Sequence, residues 1–160
     1  MLAQLLQTQT PLDQVLVRLA VAVALGTVLG LEREIRHKPA GLKTHMLISL
    51  AASLFTLLTF ELTEAAVRID EGVRADPVRV TEAVIPGVAF LGAGSIIQAR
   101  GKIEGITTGA SIWLAGAVGM ACGGGFFGIA GLAMGFALVV LTLIGGLERW
   151  IKAHARTEDD

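Results

Sequence analysis

Residues 106–147, ITTGASIWLAGAVGMACGGGFFGIAGLAMGFALVVLTLIGGL, run without one Asp, Glu, Lys, Arg or His. Two apolar runs of near membrane-crossing length, residues 106–122 and 126–147, fit into this stretch, with Gly123, Gly124 and Gly125 as a tight turn between them. Working back toward the amino terminus, residues 15–31, 46–60 and 78–97 form three more apolar runs separated by polar breaks. The alternating pattern of a membrane barrel strand is missing from all five. An unpaired backbone amide in lipid costs several kcal/mol, so the runs are read as helices.

The whole chain agrees with its end. Of 160 residues, 53% are hydrophobic and 17% charged, a balance that soluble domains rarely show. The expected architecture is an all-α polytopic membrane helix bundle of about five transmembrane helices. Residues 1–14 form an external amino-terminal segment, residues 15–147 the five-helix transmembrane domain and residues 148–160 a short cytoplasmic tail. The runs 46–60 and 106–122 are short and draw on flanking Leu42 and Ile103 to match the bilayer. Residues 61–77 form the longest break, with spacing suited to a short amphipathic helix before Asp76-Pro77; residues 101–105 form another, carrying Lys102 and Glu104.

Orientation follows from Lys and Arg. With the amino terminus outside, Arg33, Arg36, Lys38, Lys43, Arg100, Lys102, Arg149, Lys152 and Arg156 lie in the cytoplasm, and Arg68, Arg74 and Arg79 outside, nine against three. The absence of Lys and Arg from the first ten residues argues against a cleaved signal peptide. The net charge of −1, with charges in short clusters, excludes a nucleic-acid-binding face. The single cysteine, Cys122, excludes an internal disulfide and reads as a packing residue.

Small residues spaced by four mark helix faces that can approach closely in lipid. The fourth span carries Thr107, Ser111, Ala115, Gly119 and Gly123 on one face; the first carries Ala22, Gly26 and Gly30; the third has Gly87, Gly92 and Gly94; the fifth has Gly131 and Gly135. These stripes either build the monomer alone, or one of them, such as Gly131 to Gly135, mediates a homodimer.

Soluble-enzyme signatures fail. Around Gly101-Lys102, Ile96 stands where a P-loop needs its first glycine and Ile103 where it needs Ser or Thr. Gly92-Ala93-Gly94 lacks the third glycine of a dinucleotide site. His37, His45 and His154 are not at metal-binding spacing, and no serine sits in a nucleophile elbow. No enzyme activity and no cofactor is expected.

The charged residues near span ends are the remaining chemistry. Glu32, Arg33, Glu34 and Lys43 form either a network that anchors two helix ends or an ion or partner site. Glu32, Asp76 and Glu82 are the plausible carboxylate ligands for magnesium, although Glu32 lies across the membrane from the other two. Arg18 shares a helical face with Ala22, Gly26 and Gly30 and is expected to pair with Glu82, or failing that Asp76, with Arg79 close by; snorkelling to the headgroups is the alternative. Gly-Leu-Glu-Arg occurs at residues 30–33 and 146–149, each read as an interfacial ion pair after a packed glycine.

Taken in order, Gly30-Leu31-Glu32-Arg33-Glu34, Ala40-Gly41-Leu42-Lys43-Thr44, Asp76-Pro77-Val78-Arg79, residues 87–94 (GVAFLGAG) and residues 104–110 (EGITTGA) resemble the MgtC/SapB family of bacterial inner-membrane proteins over about residues 25–125. The resemblance implies a five-helix membrane domain linked to magnesium homeostasis, survival at low magnesium and, in intracellular pathogens, growth inside macrophages. For the best-known members it implies regulation of the proton-translocating ATP synthase rather than magnesium uptake. Many members also carry a cytoplasmic carboxyl-terminal domain, for which the tail is too short. The resulting expectation is a non-catalytic inner-membrane regulator surrounded by lipid, with a small ion or solute transporter or channel as the alternative.

Overall fold

The computed structural model describes residues 8–69, 78–99 and 102–155. They form helices α1 (Leu12–Ile35), α2 (Leu42–Ile69), α3 (Val78–Gly94), α4 (Ile106–Gly123), α5 (Phe127–Val139) and α6 (Gly145–Ala155). A π-helical segment, Val140–Ile144, joins α5 to α6, and a two-stranded antiparallel ribbon, β1 (Ile97–Ala99) with β2 (Lys102–Glu104), joins α3 to α4. The molecule is an all-α membrane bundle: α1, α2, α4 and the helix from Phe127 to Leu147 are long and apolar enough to cross a membrane. The fifth apolar helix, α3, has 17 residues, which spans about 25 Å. That is less than the roughly 30 Å of a hydrocarbon core.

Several boundaries differ from the sequence reading. The third apolar run leaves the helix at Gly94, because Ile97 pairs with Glu104 in the ribbon; the break at 101–105 is therefore partly strand. The second run does not stop at Phe60, since α2 continues through Ile69 as one 28-residue helix. Its added turns carry Glu61, whose carboxylate accepts from the Gln9 and Thr10 amides at 2.7 and 2.8 Å and ties the entry of α1 onto α2. Residues 70–77, with Asp76, lie outside the described residues. The turn after α4 matches the reading: Gly125 has φ +81°, and the Gly125 and Phe126 amides donate to Cys122 O and Ala121 O.

The core lies where α4 packs on α2, with α1 against both and α3 against α4 and, less closely, α2. Helix α4 is central and α5 peripheral, with 56% of the spanning window buried in α4 against 11% in α5. Close approach of backbones explains this arrangement. A Cβ at Gly119 would run into Ser49 O; one at Gly26 would lie 2.8 Å from His45 O, and one at Gly30 would lie 2.7 Å from Leu42 Cα. Gly92 and Gly109 face each other, a Cβ at Gly92 meeting Gly109 O at 3.0 Å. Ser49 then donates across the interface to Ala22 O at 2.8 Å.

Other small residues expected to pack do not. A Cβ at Gly87, Gly94, Gly131 or Gly135 meets no atom within 4 Å, because α5 and the outer face of α3 are turned away from the bundle. Gly146 is also open, so the second Gly-Leu-Glu-Arg does not repeat the packed setting of Gly30. Thr107, at the start of the α4 stripe, is exposed, while Ser111 is buried but serves as a hydrogen-bonding group. Gly105, in the break between the third and fourth runs, has φ +90° and its Cβ would strike Ser95 O.

Two classes of glycine follow, and thermal unfolding in detergent separates them. Gly92→Leu and Gly105→Leu each destabilise by at least about 1–3 kcal/mol, the usual cost of overpacking, with backbone strain added at Gly105. Gly131→Leu leaves the melting temperature of the monomer close to wild type. Equal tolerance at all three positions would contradict the packing described.

Candidate functional site

The charged residues gather at the end of the bundle where α1 stops. Its last turn carries Glu32 and Arg36 four residues apart, and their side chains pair through Arg36 Nε and Glu32 Oε1. Arg33 points inward and is 2% exposed. Its Nη1 reaches Glu32 Oε2 at 3.5 Å, while Nε and Nη2 have no hydrogen-bond partner among the described residues. Glu34 turns the other way and accepts from the Leu42 amide at 2.9 Å, capping the start of α2. Lys43 is exposed. Of the residues read as anchoring the two helix ends, Glu34 is the one that joins α1 to α2.

The chain leaves α1 through a left-handed residue. The Lys38 amide donates to Arg33 O and the His37 amide to Glu34 O, both at 3.0 Å, the bond pattern of a Schellman ending. Gly125 holds the equivalent place after α4, but here the left-handed residue is His37, with φ 51°. A β-carbon in that conformation costs roughly 1–2 kcal/mol.

Between this ending and the far end of α5 lies a cavity of about 1170 Å³. Glu32, Arg33, Arg36, His37 and Lys38 line one side, Thr107 from the first turn of α4 closes the back, and Leu138 with the π segment forms the opposite wall. A π turn widens the helix and is frequent at functional sites. Arg36, His37 and Thr107 entered the sequence reading only through orientation, metal spacing and helix packing, and the π segment not at all; a run of Val, Leu and Ile carries no visible signal for a π turn.

A second polar set is buried along α2. His45, Ser49 and Ser53 are fully buried and lie on one face at helical spacing. His45 Nδ1 lies 2.8 Å from Gly41 O, which can only accept, so Nδ1 carries a proton. In the neutral ring Nε2 then accepts from Ser111 Oγ at 3.0 Å. Ser111 Oγ also lies 2.8 Å from Thr108 O and has one proton to give, so Thr108 O and His45 Nε2 compete for it. Ser53 Oγ is buried without a hydrogen-bond partner among the described residues.

Arg18 and Glu82 do not meet. Arg18 Nη1 donates to Gly123 O at 2.8 Å, and Gly125 lies against its guanidinium. Glu82 and Arg79 are both exposed on α3, which packs on α4 and α2 rather than on α1. The carbonyls left open at the end of α4 take the role expected of a carboxylate. Nor does Glu32 suit magnesium, since Arg33 and Arg36 already flank its carboxylate and would repel a dication. Among the described residues no group of three His, Cys, Asp or Glu side chains could hold a metal ion.

His37→Gly is expected to raise stability by about 0.5–1 kcal/mol in denaturation measurements in detergent, relief of the left-handed strain outweighing the added freedom of the unfolded chain. A loss of stability would show that the imidazole contributes more than its backbone costs.

Comparison with known proteins places these features in a family. Protein SapB of Bacillus subtilis (strain 168) is 35% identical over 149 residues, 91% of this chain and 63% of that protein. The putative magnesium transporter YhiD of Escherichia coli (strain K12) is 38% identical over 121 residues, 74% of this chain and 56% of that protein. Protein MgtC of Brucella abortus (strain 2308) is 34% identical over 145 residues, 91% of this chain and 57% of that protein. The chain therefore spans less than two thirds of the length of these relatives. No solved structure matches it. The MgtC family model covers residues 19–150, from the first turns of α1 into α6, and the chain belongs to the MgtC family.

Proposed function

We propose that this is a non-catalytic inner-membrane protein, linked to magnesium homeostasis or stress adaptation, that acts by regulating another membrane complex such as the ATP synthase. The observation that carries this reading is the division of its small residues. The stripes of α1, α2 and α4 are spent on one another, whereas Gly87 on α3 and Gly131 and Gly135 on α5 have open space above them. Beside Gly87 runs a groove of about 890 Å³ between α2 and α3, lined by Phe55, Leu58, Ala83 and Phe90 among others. Small residues beside an apolar groove suit a transmembrane helix of a partner, or of a second copy of this chain through Gly131 and Gly135. The name of one relative, the putative magnesium transporter YhiD, supports the link to magnesium.

A second reading, a small ion or solute transporter, draws on the buried file of His45, Ser49 and Ser53 and on the name of the YhiD relative. Liposomes separate the two. For the regulator, purified protein gives no saturable magnesium or proton flux, while co-reconstitution with ATP synthase changes ATP-driven proton pumping. Saturable magnesium flux lost in His45→Ala would establish the transporter and overturn the regulator.

The proposed orientation has the amino terminus outside and the carboxyl terminus in the cytoplasm, with the Arg33 cavity at the cytoplasmic end. In a Cys122→Ala background, Lys38→Cys is shielded from an impermeant thiol reagent in intact cells and Glu64→Cys reacts. Labelling of Lys38→Cys from outside would reverse the assignment.

A further inference from the structure

The cavity beside the end of α1 holds a cation that the described residues leave under-neutralised. Arg33 is buried, its single contact with a carboxylate is long, and two of its nitrogens have no partner. Arg36 engages the other oxygen of Glu32. Among the described residues, three cations, Arg33, Arg36 and Lys38, thus line the cavity against one carboxylate, an excess of two positive charges. A cation or an apolar solute would leave the guanidinium N–H groups unsatisfied. A tetrahedral oxyanion satisfies them, since its oxygens can accept in pairs from the planar fork of arginine.

The helix dipoles do not reverse this preference. The end of α1 carries about half a negative charge, but its last carbonyls already accept from Arg36, His37 and Lys38 amides. The start of α4, beside Thr107, contributes a comparable positive end.

The remaining walls say what carries the anion. Val28, Leu31, Leu141 and Ile144 are apolar, and Leu31 and Ile144 are 43% and 57% exposed, so the cavity opens onto the lipid-facing surface. Its 1170 Å³ exceeds the roughly 300–1,000 Å³ of ordinary small-molecule sites, leaving room for more than a free anion. The wall is the π segment, which widens α5 at the depth of Arg33.

We propose that this cavity binds a phosphate group carried on an anionic phospholipid, with Arg33 as its buried ligand, Arg36 and Lys38 at the rim, and the first part of an acyl chain against Leu31 and Ile144. The inference stands apart from the regulator reading and does not need a protein partner.

The test uses the full chain, stripped of lipid in neutral detergent, with its melting temperature followed during titration. Phosphatidylglycerol should raise the melting temperature saturably and phosphatidylcholine much less. Arg33→Gln should weaken the apparent affinity for phosphatidylglycerol by about tenfold or more, the loss expected on removing a charge-assisted contact. The same variant should be at least as stable as wild type without lipid, because it removes a buried charge whose one ion pair, to Glu32, is long. Lys43→Gln, outside the cavity, should respond like wild type. Ile144→Trp, at an exposed wall position, should also weaken phosphatidylglycerol, and its folding does not depend on the arginine.

Saturable stabilisation by inorganic phosphate, lost in Arg33→Gln, would uphold the phosphate site and assign its source to the free anion. Three results would overturn the proposal: equal responses to the two lipids, an unchanged phosphatidylglycerol response in both Arg33→Gln and Ile144→Trp, or no response to phosphatidylglycerol and inorganic phosphate alike.

Discussion

The backbone of α4 lies directly on the backbone of α2, and the rest of the structure depends on that contact. Where Gly119 meets Ser49 and Gly123 meets Ser53 there is no room for a β-carbon. In lipid no hydrophobic force drives helices together, so stability must come from close van der Waals packing with a modest addition from interhelical hydrogen bonds. Such a bond from Ser49 to Ala22 O is worth about 0.6 kcal/mol on average. The same seating lets Gly26 and Gly30 bring α1 against α2, and it holds Arg18 near the carbonyl of Gly123.

The charged end of the bundle is a consequence of this packing. With α1 fixed against α2, the chain must reverse between Ile35 and Leu42. It does so through a Schellman ending whose left-handed position holds histidine instead of glycine. That turn sends Arg33 inward and leaves Arg36, His37 and Lys38 around the cavity mouth. The α4 ending uses the same hydrogen bonds with Gly125, so one motif serves as a plain turn at one end and presents cationic side chains at the other.

Much of the fold was legible because hydropathy and small-residue spacing report burial directly. The five apolar runs, the glycine turn at 123–125 and the packing roles of Gly26, Gly30, Gly92 and Gly119 could be read this way. What could not be read depends on neighbours. Spacing alone does not say whether a small-residue stripe faces another helix or lipid, which is why Gly131 and Gly135 look like Gly119 in sequence. Charge content ended the second run at Glu61, but two amides from the chain preceding α1 occupy that carboxylate, and the helix continues. Glu82 was the natural partner for Arg18 by depth; the order of helices around the bundle put a backbone carbonyl there instead. At the candidate site Glu32 and Arg33 stood out as intramembrane charges, whereas the π segment and the left-handed His37 are tertiary features without a local signature.

The most direct test of the central contact adds one methyl group at its tightest point. Gly119→Ala, measured by reversible unfolding in lipid bicelles, should lose about 1 kcal/mol or more, because the new Cβ strikes Ser49 O, a backbone atom that cannot rotate aside. Stability equal to or above wild type, as alanine gives at an open helical site, would contradict backbone contact between α2 and α4 and the arrangement built on it.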